Sequence, residues 1–329
     1  MTETQSHPAD VSSPDISSDG ENPLDSRHYS FIDYATQIYL VLLAALIAFG
    51  GQEVANRWWL LAGHGLAMIA VHALIRSYAA HTSNRVIKLL RHFYPVLFYI
   101  AFYRETGELN QIFIDGYLDE VFISMDAALF GGQPSINLMS RFPMTWVSEL
   151  FYISYFSYYV MIVGVGLALY AQSTRKCFHY VSVVSFMFYV CFLIYIIFPV
   201  VGARVFWEPV AGIPQEEMFG FYPLPFPDTV RAGPFFHVMD FVYENFQALG
   251  AAFPSSHVAV ALATLYFSWK ELPRVRHLHC VMVILLCIAT VYCRYHYVVD
   301  IYAGAVTGVV LLFVGDRLFR RFQEGGINR

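Results

Sequence analysis

Residues 178–199 read FHYVSVVSFMFYVCFLIYIIFP, an unbroken stretch without a Lys, Arg, Asp or Glu. Crossing the hydrocarbon of a bilayer takes about 20 mostly apolar residues in a helix. A helix that is apolar on every side must be surrounded by lipid or by protein. Working outward from it, seven further stretches satisfy the same reading: 33–51, 58–75, 88–104, 147–170, 255–270, 278–295 and 299–318. His64, His72 and Pro95 interrupt the second and third spans, and the third is short. A six-span core with an irregular N-terminal part is therefore the alternative. Composition agrees: 57% of residues are hydrophobic and 14% charged, against about 25% charged in a soluble domain. The expected fold class is an all-α polytopic membrane helix bundle of about eight spans, and the apolar runs leave no room for separate soluble domains.

Eight spans alternate sides, so the charges test the arrangement. Of the 20 Lys and Arg, six (Arg57, Arg104, Arg141, Arg204, Arg231 and Arg294) fall on one side, and the other fourteen, with every lysine, fall on the other. The richer side belongs in the cytoplasm. Both termini are then cytoplasmic, and the long loops 105–146 and 200–254 lie outside or in a lumen. Residues 1–28, rich in Ser, Asp and Pro, cannot bury a core and read as a disordered tail. They lack the early positive cluster and short apolar run of a secretory signal.

The two long loops are not simply polar. Ile112, Phe113, Leu118, Val121, Phe122, Met125 and Leu129 recur at near-helical spacing, with Asp115, Asp119, Glu120 and Asp126 among them. Phe235 to Leu249 repeats the pattern. Both suit interfacial helices lying on the membrane surface, and equally suit loop helices packed on the bundle. Between them, 209–234 is punctuated by six prolines and reads as loop. The five cysteines lie in or beside apolar runs and read as reduced packing residues; no Cys/His cluster suggests a metal. Nothing resembles a nucleic-acid-binding patch.

Polar clusters at span ends are the candidates for function, because charge is costly in hydrocarbon. There are three, and the span count brings them to one membrane face. The first, Gly202-Ala203-Arg204-Val205-Phe206-Trp207-Glu208-Pro209, follows the fifth span; alone, it reads best as an interfacial anchor. The second, Phe253-Pro254-Ser255-Ser256-His257, opens the sixth span. The start of a helix offers free N–H groups and the positive end of its dipole to an anion, and His257 stands in that first turn to donate a proton. Pro-Ser-Ser is equally an ordinary helix opening. The third, Arg294-Tyr295-His296-Tyr297-Val298-Val299-Asp300, places His296 and Asp300 four apart, on one helical face. A carboxylate on one ring nitrogen fixes the tautomer and leaves the other nitrogen to attack, while Arg294 is suited to hold an anion. The bland readings are a His–Asp pair that only caps a span and an arginine against lipid headgroups.

Two histidines, a carboxylate, two arginines and a helix N-terminus on one face describe a phosphate-handling site. The ordered set resembles the type 2 phosphatidic acid phosphatase superfamily over residues 105–315. Phe-Pro-Ser-Ser-His and His-Tyr-Val-Val-Asp are similar to its second and third motifs. Gly-x-Arg-x-x-Trp-x-Pro at 202–209 resembles the branch containing fungal inositol phosphorylceramide synthase, an inositolphosphotransferase. There are departures. The chain has no outer-side lysine for the first motif, Ser256 stands in place of the usual glycine, and Thr290 occupies the usual position of the third-motif arginine, with Arg294 as its substitute. The resemblance implies 1–28 as tail, 29–104 as N-terminal spans, and 105–329 as the catalytic domain with a six-helix core. It implies His296 as nucleophile, Asp300 orienting it, and His257 as acid and base. Arg204, Arg294 and the amides near Ser255 and Ser256 would neutralise phosphate, and no cofactor or metal is needed. The expected partners are a phospholipid donor and a lipid alcohol or water as acceptor, within membrane lipids. Loop aromatics Phe219, Phe221, Tyr222, Phe226, Phe235 and Phe236 would cover the site. The other classes fare worse: a transporter would show paired repeats and polar breaks near the midplane, and an intramembrane protease would show Gly-x-Ser-x-Gly or His-Glu-x-x-His.

Overall fold

The computed structural model describes residues 29–50, 54, 56–81, 83–208, 210 and 224–327, with side chains to Phe322. The tail 1–28, Pro209 and the loop aromatics Phe219, Phe221 and Tyr222 lie outside the described residues. In chain order the helices are α1 (Phe31–Phe49), α2 (Arg57–Ala80), α3 (Arg85–Leu109), α4 (Asp119–Phe130), α5 (Pro134–Arg141), α6 (Thr145–Gln172), α7 (Thr174–Ile197), α8 (Asp228–Arg231), α9 (Pro234–Phe246), α10 (Ser256–Glu271), α11 (Arg276–Tyr292) and α12 (Val298–Ile327). A short 3-10 turn spans Ala203–Phe206. Among the described residues there is no strand, only one bridge pairing Val200 with Ala251.

Each expected span is a helix. Six of them, α1, α2, α3, α6, α7 and α12, are long and apolar enough to cross a membrane, and the chain is an integral membrane protein. The irregular N-terminal alternative is not what forms: α2 has 24 residues and α3 has 25, with Pro95 inside α3. The two remaining spans are shorter than the reading of eight full crossings. Helix α10 has 16 residues and α11 has 17, which at ~1.5 Å per residue falls short of a ~30 Å hydrocarbon layer. Their ends run into irregular segments, 251–255 and 293–297, that are themselves mostly buried. Non-helical backbone at such depth is tolerated where protein surrounds it.

Helix α7, which carries the uncharged stretch from Phe178 onward, is the central post. It packs against α1, α3, α6, α10 and α12, so its apolar surface faces protein on nearly all sides. Helix α1 is fixed to α3 by a buried polar cluster. Asp33 forms the capping box with Ser30, pairs with Arg91 through both carboxylate oxygens, and accepts from the Tyr94 hydroxyl at 2.8 Å. Asp33 and Arg91 are both buried, and a bidentate pair of this kind fixes register as well as contact.

Helix α10 crosses α12 through glycines. A Cβ on Gly304 would lie 2.5 Å from the Ser255 carbonyl oxygen, and one on Gly308 would lie 2.8 Å from Ala259 Cα. Small residues four apart let two backbones approach this closely. The crossing sets the start of α10 directly against the first turns of α12. Gly308→Ala is expected to cost about 1–3 kcal/mol, the range for overpacking, and to lower the thermal midpoint in detergent. Gly63→Ala, where an added methyl meets nothing within 4 Å, should not lower it. Equal midpoints for the two variants would remove the close crossing from the account.

Candidate active site

The three polar clusters meet. Gly202 adopts φ +89°, the left-handed region that favours glycine, and a Cβ there would collide with the Tyr295 carbonyl oxygen and sit 3.1 Å from the Ala252 side chain. The first cluster thus turns directly on the backbone of the third and beside the approach to the second. Val200 N–H donates to the Gly250 carbonyl at 3.2 Å, and Ala252 N–H donates back to the Val200 carbonyl at 2.8 Å.

His296 and Asp300 form the expected pair: Nδ1 lies 3.3 Å from Asp300 Oδ2. Both are buried. Asp300 Oδ2 also accepts from the Tyr297 amide at 3.0 Å, which fixes the carboxylate relative to the loop. The other ring nitrogen, Nε2, lies 3.3 Å from the Ser255 hydroxyl. Ser255 caps α10, its oxygen accepting from Val258 N–H at 3.4 Å. With Nδ1 protonated towards Asp300, Nε2 keeps its lone pair and accepts from Ser255. Burial pushes the imidazole down to about 4, so at neutral pH the ring is uncharged. His257 stands 5.6 Å from His296, centroid to centroid, with the rings at 67°. Its Nε2 meets the Tyr155 hydroxyl at 3.0 Å, and Tyr155 in turn meets the Tyr243 hydroxyl at 2.7 Å.

The remaining expected residues are placed less simply. Arg204 is 4% exposed and donates to Glu208 Oε2 at 2.6 Å, with its guanidinium 5.4 Å above the Tyr243 ring. The amides expected to receive phosphate are already engaged: Ser255 N–H donates to the Asp300 carbonyl at 3.2 Å and Ser256 N–H to the Tyr195 hydroxyl at 3.2 Å. Arg294, at φ +59°, donates to the Leu224 carbonyl at 2.9 Å and lies 5.2 Å over the Phe226 ring. Its Nη1 is engaged by the 224–226 segment, while its Nε is buried without a hydrogen-bond partner among the described residues. Of the loop aromatics expected to cover the site, those among the described residues are Phe226 and Phe236, 5.3 Å apart, and Phe235, 6.0 Å from Phe156.

Two acidic residues that the sequence reading left among loop positions prove structural to the site. Asp119 is fully buried. Its carboxylate accepts from Val201 N–H at 2.8 Å, Gly202 N–H at 2.9 Å and the Tyr297 hydroxyl at 2.8 Å. Asp126, two turns on, accepts from Val298 N–H at 2.9 Å and Val299 N–H at 3.1 Å, capping α12. Helix α4 therefore turns Asp119 and Asp126 inward, while Glu120, Val121, Met125 and Leu129 are exposed. The seven-residue spacing of Asp119 and Asp126 carried this signal, since it sets them on one face. Tyr155 and Tyr243, which touch His257 and Arg204, are not singled out by the sequence, and Glu208 appears there only as a member of the first cluster.

The helix bundle gathers two histidines and a carboxylate, His257, His296 and Asp300, at one end. The sequence model of the PAP2 superfamily matches residues 122–314, more than half of the chain, and the chain belongs to that superfamily. It is 30% identical over 128 residues to a PA-phosphatase related-family protein of Dictyostelium discoideum, a match covering 39% of this chain and 21% of that protein. The match thus spans about a fifth of its relative's length. No solved structure matches.

Burial pushes Asp119 up to about 7 from the ordinary 3.8, against the pull of its three donors. A raised folded value means that this contribution to stability is present in full below about pH 4 and is lost as pH rises through about 7. The thermal midpoint of the wild type is expected to fall across that window, and Asp119→Asn should flatten the fall. Asp119→Ala should lower the midpoint at every pH, by about 1–3 kcal/mol for each donor left unsatisfied. A wild-type profile that Asp119→Asn leaves unchanged would contradict this.

Proposed function

We propose that the chain moves a phosphate-bearing head group from a phospholipid to a lipid alcohol of ceramide or diacylglycerol type, through a phosphohistidine on His296. Superfamily membership supports the coarser statement, lipid phosphatase or phosphotransferase chemistry. The observation that carries the reading is the setting of His296: Nδ1 3.3 Å from Asp300, Nε2 3.3 Å from the Ser255 hydroxyl, and the His257 ring 5.6 Å away.

In this reading His296 Nε2 attacks phosphorus as the bond to the leaving alcohol breaks, and His257 gives that oxygen its proton. Nδ1–H stays hydrogen-bonded to Asp300, which balances the charge that the ring acquires. In the second half-reaction the acceptor hydroxyl gives its proton to His257, its oxygen attacks phosphorus, and the P–N bond breaks. Arg204 neutralises the phosphoryl oxygens after leaving Glu208, with Ser255 and Ser256 lining the approach; Arg294 acts from further out by holding Leu224 and Phe226 in place. Aromatic cover from Trp207, Phe226 and Phe236 excludes water and favours an alcohol arriving from the bilayer. The tail 1–28, the spans 29–104 and the catalytic domain 105–329 complete the organisation, with both termini cytoplasmic and the site on the opposite face.

Purified protein given head-group-labelled phospholipids, with and without ceramide or diacylglycerol, is expected to place most label on the lipid alcohol. His296→Ala should abolish turnover while keeping the fold, and Asp300→Asn should lose about 10⁴, the loss seen when a triad's tautomer is wrong. Release of label to water at a rate indifferent to added alcohol would make the protein a phosphatase. Substantial turnover by His296→Ala would remove the phosphohistidine altogether.

The orientation has its own test. Arg231 and Arg274 are both exposed. Arg231→Cys and Arg274→Cys, each in a background without native cysteines, should label from opposite sides of the membrane, position 274 from the cytoplasm. Labelling of both from one side would overturn the orientation.

A further inference from the structure

We propose that the cavity beside Arg204 is a head-group subsite that selects a phospholipid bearing an ammonium group. The inference rests on the phosphotransfer reading and names the substrate class for the same site.

The cavity holds about 180 Å³, a volume on the scale of a small polar head group. Six aromatic rings line it: Tyr152, Trp207, Phe226, Phe236, Tyr243 and Tyr295. They form a connected wall. Trp207 and Phe226 lie 4.9 Å apart, Phe226 and Phe236 5.3 Å, and Tyr152 and Phe236 5.3 Å, while Tyr243 stacks on Tyr295 at 3.9 Å and 5°. The cavity belongs to the reaction site. Tyr295 precedes His296, and two hydrogen bonds lead from Tyr243 through Tyr155 to His257. Its frame is held as well, because Glu149 on α6 accepts from Phe235 N–H at 3.0 and 3.1 Å and from Phe236 N–H at 3.3 Å, capping α9.

The charges decide which head group fits. One cation, Arg204, lines the cavity, against three carboxylates, Glu208, Asp240 and Glu244. Arg204 and Glu208 pair with each other, and among the described residues no cation pairs with Asp240 and Glu244, one turn apart on α9, at the mouth. A phosphate monoester can reach Arg204 but adds only repulsion against these two carboxylates, and a polyol phosphate brings no charge to balance them. A zwitterionic head group satisfies both ends at once: its phosphate reaches Arg204 and its ammonium lies against aromatic faces and the α9 carboxylates. Aromatic walls beside carboxylates are the physical basis of ammonium recognition.

Binding to the His296→Ala protein separates recognition from turnover. Short-chain phosphatidylcholine, phosphatidylethanolamine, phosphatidylinositol and phosphatidate are titrated in detergent against intrinsic fluorescence. The two ammonium-bearing lipids are expected to bind at least tenfold tighter than the other two. Asp240→Asn with Glu244→Gln, conservative changes at exposed positions, should erase most of that preference while leaving phosphatidate binding no weaker. Trp207→Ala should act in the same direction. Equal affinity for all four lipids, a preference for phosphatidylinositol or phosphatidate, or a preference that survives the α9 double variant would each overturn the subsite. The wild-type protein is assayed in parallel for acid-labile label on His296. Absence of label with every lipid defeats the phosphotransfer reading, whatever the binding order, and label with the wrong binding order defeats only the subsite.

Discussion

The Asp119 carboxylate accepts hydrogen bonds from Val201 N–H, Gly202 N–H and the Tyr297 hydroxyl, and the geometry of the site depends on that junction. Two of the donors belong to the turn that carries Arg204, and the third belongs to the residue after His296. Burying a carboxylate is costly unless its lone pairs are filled, and here one group fills three places. The converse matters as much: removing Asp119 strands two backbone amides and a tyrosine hydroxyl in the interior. Such a network is satisfied only when the first and third clusters stand in one relative position. A purely apolar junction would tolerate sliding; this one does not, because donors have direction and apolar contacts do not.

Around that junction the helix starts are closed by the protein itself. Asp126 takes the first amides of α12. Ser255 caps α10, and Tyr195 takes the Ser256 amide. The glycine crossing of α10 and α12 then forces these capped ends together, so His257, His296 and Asp300 come from neighbouring first turns and the loop between them. A helix N-terminus is in principle an anion site, but here much of that capacity is already used. The burden of meeting an anion shifts to side chains, and Arg204 is the cation that faces the cavity.

How much of this was legible follows from how far apart the interacting groups lie in sequence. The spans were readable because lipid imposes a one-dimensional condition, about 20 apolar residues in a row. His296 with Asp300 was readable because one helical turn sets the contact. The Asp119–Gly202–Tyr297 junction was not, since it joins positions 119, 202 and 297 and no local pattern encodes that meeting. Asp119 and Asp126 are visible in an amphipathic stretch that suits an interfacial helix and a helix packed on the bundle equally, and nothing local chooses between the two. The helix turns Asp119 and Asp126 towards protein together with Phe122, while Val121, Met125 and Leu129 face outward with Glu120. The same surface that marks an interfacial helix in water marks a docked helix at a bilayer, where the exterior is the apolar phase. Arg294 stands two residues before His296 in the sequence, and only the folded backbone, at φ +59°, shows that its side chain reaches Leu224 and Phe226.

Arg204 and Glu208 bear on how such a site treats charge. A buried guanidinium without a partner is strongly destabilising, so the 4% exposed Arg204 needs an anion before any substrate arrives, and Glu208 is that anion. In the phosphotransfer reading a phosphate replaces it. The exchange trades one ion pair for another, while Glu208, whose side chain is 39% exposed, turns to solvent at modest cost. Ground-state binding therefore gains little from Arg204. As the phosphoryl group passes to His296, charge redistributes over its oxygens, and their interaction with the buried guanidinium strengthens in a setting of low dielectric. Glu208 at solvent exposure loses nothing further in that step. An arginine pre-paired in this way contributes mainly to the transition state, which is where binding accelerates a reaction.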